Sequence, residues 1–179
     1  MVIGGLPPGS GQDMIANWLA EEGVPRDRLE LLPRSGTAVY MQQHHRVDIC
    51  LDTFPYTGAT TTLHALWMGV PTISIEGHTI PSRGGAQLLA HNGLQTFVAA
   101  TREEFLQKGI YWAEHFGELA ELRTGMRARC AQSPVFRPEV IAEGLSRALR
   151  AMWQRWCAGE APASLDAWSW QHESSGAPQ

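Results

Sequence analysis

Four short runs rich in β-branched and aliphatic residues recur along the first hundred positions: "LELLP" at 29–33, "VDICLD" at 47–52, "PTISIE" at 71–76 and "TFVA" at 96–99. Each reads as a buried strand. Between them lie segments of helical length and period, at about 13–23, 37–45, 60–69 and 82–92, with Gly or Pro at their ends. Strand and helix in alternation is the pattern of right-handed β-α-β units in a parallel sheet. The expected fold is therefore α/β, a Rossmann-like parallel sheet of about four or five strands with flanking helices and a C-terminal helical segment.

After Thr101 the strand pattern stops. "TREEFLQKGIYWAEHF" opens with Thr101 as N-cap and Glu104 three residues on, which is a capping box. Two further helices are expected at about 118–131 and 138–157, separated by "SPVFRP". The last carries Leu145, Leu149, Met152, Trp153 and Trp156 at helical spacing, a stripe expected to pack on the sheet or on a neighbouring domain. Residues 1–159 read as one lobe and 160–179 as a flexible tail, in which Trp168 and Trp170 suggest a docking contact. The start, "GGLPPGSG", is loop chemistry with no strand before it, so the chain is expected to begin partway through a larger architecture.

Charge and cysteine content narrow the function classes. With 14 basic against 18 acidic residues, the chain offers no broad electropositive face, and a nucleic-acid partner is not expected. No apolar run approaches 18 residues and no leader pattern opens the chain, so neither a membrane span nor export is expected. Cys50, Cys130 and Cys157 are odd in number and far apart, unlike a disulfide framework or a zinc site; a reducing cytoplasm fits best.

The chemistry concentrates at one joint. "VDICLD" hands over through "TFPYTGA" to "TTTLHALWMG", and open parallel sheets bind ligands beyond the carboxyl ends of their strands. A helix beginning near Thr60 leaves its first amides unpaired, with the positive end of the macrodipole behind them. That suits an anion. Gly58 and Ala59 let a phosphate approach the backbone, and Thr60 and Thr61 can add hydroxyl donors. At about 100° per residue, Leu63, Leu66 and Trp67 fall on the side facing the sheet, while Thr60, Thr61, His64 and Met68 share the other. Threonine is also an ordinary N-cap, so the same residues read as a plain cap too. No dinucleotide fingerprint or Walker loop is present to decide.

Three stretches then carry a resemblance: "VDICLDTFPYTGATTTLHALWMGVPTISIEG", "SRGGAQLLAHNGL" and "SPVFRPEVIAEGLSRALRAMWQRWCAG". From about Asp27 to Gly159 the chain resembles the C-terminal catalytic lobe of the O-linked N-acetylglucosamine transferases and their SPINDLY-type relatives. The resemblance implies a glycosyltransferase of GT-B architecture that holds a UDP-sugar donor without metal or other cofactor, using helix dipole and donors to stabilise the departing diphosphate. It implies that Gly58, Ala59, Thr60 and Thr61 cradle the diphosphate. "LLPRSGTAVY" corresponds to the uracil-binding loop, with Ser35 and Thr37 at the loop positions and Tyr40 as the stacking ring. His64 stands where the family has an acidic residue that accepts from the ribose hydroxyls, so the ribose grip is altered here. The family's acid/base residues, its diphosphate-contacting Lys and its TPR repeats have no counterpart in this chain, so the partners implied are a protein acceptor and the missing N-terminal lobe or TPR repeats.

On that resemblance no catalytic base is assigned, and His44, His45, His78 and His91 read as surface or cap histidines. The leading expectation is the nucleotide-sugar-binding lobe of a protein O-glycosyltransferase, transferring N-acetylglucosamine or a related sugar to Ser or Thr. The alternative is a truncated or degenerate lobe acting as a non-catalytic binding or assembly module. A different GT-B enzyme such as a sugar epimerase fits the fold but fits "PYTGATTTLHALWMGVP" less well.

Overall fold

A computed structural model describes residues 1–165. The tail positions Trp168 and Trp170 lie outside the described residues. Among these residues five strands and seven α-helices follow in the order β1 (Val2–Leu6), α1 (Ser10–Glu21), β2 (Glu30–Pro33), α2 (Thr37–Gln43), β3 (Cys50–Leu51), α3 (Thr60–Trp67), β4 (Thr72–Ile75), α4 (Gly84–His91), β5 (Val98–Ala99), α5 (Arg102–Glu114), α6 (Phe116–Gln132) and α7 (Pro138–Cys157), alternating as far as α5. Every strand pairing is parallel, as β-α-β connections require. The strands form two ladders, β1-β2 and β3-β4-β5. β3 contributes only two residues; the amide of Cys50 donates to Pro71, just before β4, and that of Asp52 to Ile73 on β4.

The chain's start differs from the loop expected there. Val2 and Ile3 pair with Glu30 and Leu31, and Leu6 with Pro33. Two glycines conceal this strand in the sequence, because glycine is poor in strands; Gly5, at φ 81°, sits where the register shifts between Ile3 and Leu6.

Leu66, Ile73, Leu89, Leu94, Phe97, Leu119, Met126 and Cys130 form the buried core, so it lies between β4 and the helices α3, α4 and α6. Helix α6 straps one end of this layer. Its Arg123 donates to the Val47 carbonyl at 2.9 Å, Arg127 to Trp67 at 3.1 Å, and Arg129 to Gly93 at 3.4 Å. Trp67 ends α3 and Gly93 follows α4, so guanidinium groups meet carbonyls at the negative ends of those helices. The N-terminal ends of α3 and α4 are left on the opposite side.

One expectation about side-chain faces fails, and of the two surfaces expected to cover another stripe the sheet is excluded. Trp67 does not join the sheet face: it is 37% exposed, stacks on Phe136 with centroids 5.6 Å apart, and carries the Arg127 guanidinium 5.4 Å from its ring. Thr62, Ala65 and Leu66 bury instead, so the buried stripe of α3 is rotated from the one its largest residues suggest. On α7, Leu145, Leu149, Met152, Trp153 and Trp156 do not pack on the sheet and are all exposed. The buried residue of that helix is Ala151, on another side.

Candidate functional site

The joint between β3 and α3 is built around Asp52, the residue that follows the strand. Its Oδ1 accepts from the amides of Thr53 at 2.9 Å and Gly58 at 2.7 Å, while Oδ2 accepts from Ser74 Oγ on β4 at 2.7 Å. The loop closes further when Thr53 Oγ1 donates to the Tyr56 carbonyl at 2.6 Å. Thr57 is buried and ties the loop to the neighbouring helix: its amide and hydroxyl donate to the Pro81 carbonyl, and its Oγ1 accepts from the Gly85 amide at 3.1 Å. Two helix N-termini, α3 and α4, thereby converge on one loop.

α3 starts without a cap. Its N-cap position is Ala59, which has no side-chain acceptor, and no side chain takes that role. The first helical amide to find a carbonyl is that of Leu63, which donates to Ala59 at 3.1 Å. Those of Thr60, Thr61 and Thr62 find no acceptor among the described residues. Ala59, Thr60 and Thr61 are exposed, so these donors face water rather than protein. The plain-cap reading of the threonines does not hold, since none of their hydroxyls caps the helix. Gly58 differs in kind: its amide already belongs to Asp52, and what its glycine supplies is room, because a Cβ there would meet Thr62 Oγ1 at 2.6 Å and Thr61 Oγ1 at 2.8 Å.

Tyr40, from the second turn of α2, and His64, from α3, meet with ring centroids 5.6 Å apart at an interplanar angle of 62°. Tyr40 also packs edge-on against His44, at 4.9 Å. Burial raises the Tyr40 phenol above its ordinary value of 10.0, and nearby Cys50 adds to the effect, so it stays a neutral ring and donor at physiological pH. His64 Nδ1 is buried and has no hydrogen-bond partner among the described residues. Ser35 lies in the exposed loop before α2 and Thr37 on the exposed first turn of that helix. The structure thus joins Tyr40 to His64 and Gly58 to the α3 start, while Ser35 and Thr37 stand apart on the exposed entry to α2.

His44 is buried rather than superficial, and it ends α2 with Nδ1 3.2 Å from the Tyr40 carbonyl. His45, His78 and His91 are exposed, as expected of them. Among the described residues, no three His, Cys, Asp or Glu side chains gather as they would around a metal ion. No helix among them is long and apolar enough to cross a membrane. Sequence reasoning missed Asp52, Thr57, Ser74 and Gly85. The available signal was an acidic residue directly ending an apolar run, where an unpaired carboxylate would be costly beside buried strands.

Comparison with known proteins sets this geometry in a family context. The family described as Glycosyl transferase family 41 matches residues 6–145. A probable UDP-N-acetylglucosamine--peptide N-acetylglucosaminyltransferase SPINDLY of Oryza sativa subsp. japonica is 40% identical over 146 residues, which is 81% of this chain and 16% of that protein. The protein of the same name from Arabidopsis thaliana is 38% identical over the same shares. Among solved structures, a mutant O-GlcNAc transferase of Thermobaculum terrenum superposes with a TM-score of 0.74 at 34% identity, covering 87% of this chain and 30% of that one. The chain therefore spans about one sixth of the length of these plant relatives.

Proposed function

The chain belongs to glycosyl transferase family 41, and from that premise we propose that it is the donor-binding part of a protein O-glycosyltransferase, holding a UDP-sugar at the joint between β3 and α3. The observation that carries this reading is the uncapped start of α3, where three amides without acceptors and two exposed threonines stand at the positive end of a helix. An anion there completes hydrogen bonds that the fold leaves open. As the sugar departs, charge develops on the diphosphate, and donors fixed in advance stabilise it without reorganising. The step needs no metal on this reading, and no catalytic base is assigned to this chain.

Tyr40 would lie against the uracil ring and His64 near the ribose, with Ser35 and Thr37 offering polar groups to the base edge. The relatives are named for transfer of N-acetylglucosamine from UDP to peptide. We extend to this chain the same donor class and a protein Ser or Thr acceptor, bound with the help of a further lobe or TPR repeats.

Calorimetric titration with UDP, in parallel with GDP and with a chelator present, tests the site. UDP is expected to bind and to do so equally well with the chelator. Thr60→Val and Thr61→Val should each weaken UDP by about 1.5 kcal/mol, the size of one hydrogen bond to a charged group. Absence of heat and of any thermal shift at millimolar UDP would reject the proposal, and unaltered affinity in both variants would move the diphosphate elsewhere.

A further inference from the structure

We propose that Asp52 is the positioning residue of the diphosphate site, a carboxylate that never touches the ligand but aims the amides that do. This deepens the UDP reading above and rests on it. The two carboxylate oxygens of Asp52 divide the work. Oδ1 gathers the amides of Thr53 and Gly58, the first and sixth residues after it, and so pulls both ends of the loop onto one atom. Oδ2 is held by Ser74 Oγ on β4, where Ser74 is fully buried and cannot drift. The loop that leads into α3 is thereby fixed to the sheet at one point, and α3 inherits its direction from that point.

The packing around the carboxylate shows that the arrangement is built rather than incidental. A Cβ on Gly85 would lie 2.5 Å from Asp52 Oδ2 and 2.5 Å from Ser74 Oγ, and one on Gly58 would lie 3.2 Å from Asp52 Oδ1. Only glycine at both positions lets α3 and α4 close around the acid. Charge considerations point the same way. A carboxylate beside a diphosphate is unfavourable unless its lone pairs are turned to other donors, and here three donors occupy them. Asp52 consumes the Gly58 amide and leaves those of Thr60, Thr61 and Thr62 for the ligand.

A positioning role predicts a loss confined to the phosphate half of the ligand. The full chain would be titrated with UDP and with uridine, the latter followed by ligand-observed NMR, for wild type, Asp52→Ala, Asp52→Asn and Ser74→Ala. Asp52→Ala is expected to weaken UDP about tenfold or more, the scale of a lost charge-assisted network, while uridine is unchanged. Asp52→Asn should stay close to wild type, because its carbonyl still accepts from both amides and its NH2 can donate to Ser74 Oγ. Ser74→Ala should lower the preference for UDP over uridine in the same direction by a smaller factor, and it serves as the test if Asp52→Ala does not fold. A general loss of structure would weaken both ligands together. The proposal is overturned if the alanine variants keep the wild-type ratio of UDP to uridine affinity, or if Asp52→Asn loses as much as Asp52→Ala. A wild type that binds neither ligand would instead remove the UDP reading itself.

Discussion

At the scale of single residues, the three cysteines differ sharply in what surrounds them. Cys130 is fully buried in the core, and burial pushes its thiol up to about 11. Cys50 is also pushed up to about 11, first by burial and then by the Asp52 carboxylate beside it. Cys157 is exposed at the end of α7. Since the thiolate is the reactive form, iodoacetamide at pH 8 should modify Cys157 alone in the folded chain, with Cys50 and Cys130 reacting only after denaturation. Mass spectrometry of the labelled peptides reads this directly, and rapid labelling of Cys50 would show that the β3 end is not packed as described. The same environment explains what could be read of the site beforehand. Thr60, Thr61 and the uncapped start of α3 were legible because helix ends leave amides unpaired whatever the tertiary fold. Asp52 and Gly85 were not, because their roles arise where β3, β4 and α4 meet, and contacts between distant segments leave no local periodicity.

Among elements, α5 shows a sequence signal and its structural refinement side by side. Thr101 caps the helix as expected, its Oγ1 accepting from the Glu104 amide at 3.1 Å. The return bond differs: Glu104 Oε2 accepts from the amide of Ala100, one residue before the cap, at 2.7 Å. That bond, with Lys108 nearby, holds the Glu104 carboxyl below its ordinary value of 4.5. A lowered carboxyl contributes stability above its unfolded value, and the contribution is lost as pH falls through the folded one. Thr101→Ala should therefore cost about 1 kcal/mol in urea unfolding at pH 7, and the gap between wild type and Glu104→Gln should narrow as the pH is taken below 4.5. A gap that widens in acid would contradict the assignment of this bond. Long periodic elements such as α6 and α7 were legible to within two residues, since many turns repeat one pattern. β1 escaped notice because its glycines weaken strand propensity and its partner β2 lies beyond a whole helix. Hydrogen exchange should rank the two ladders: β4, with Thr72, Ile73 and Ser74 buried, should protect its amides far longer than β1 or β2, none of whose residues is buried.

For the molecule as a whole, the decisive feature is a helix whose apolar face turns outward. At about 100° per residue, Ile141, Leu145, Leu149, Met152, Trp153 and Trp156 cover one third of the circumference of α7. All six are more than half exposed, while Gly144, Ala148 and Ala151 occupy the side facing the rest of the chain. The periodicity of this stripe was legible, but periodicity states that a face wants burial and not which surface will bury it. An apolar stripe of this length is larger than isolated domains ordinarily leave in water. Covering all six side chains would release roughly 10–15 kcal/mol, against an association cost of about 4–15 kcal/mol. Mid-range values leave only a few kcal/mol, so the expected result is weak, concentration-dependent self-association and not a permanent dimer. Sedimentation velocity from low to high protein concentration should show a rising weight-average mass. Leu149→Glu with Trp153→Glu should abolish that rise without lowering the melting temperature, because neither side chain contributes to the core. If the double variant associates as strongly as wild type, the contact lies elsewhere, with exposed Met14 and Trp18 of α1 the next surface to test. If it unfolds instead, α7 holds the fold through its outward face, and the packing described for that helix is wrong.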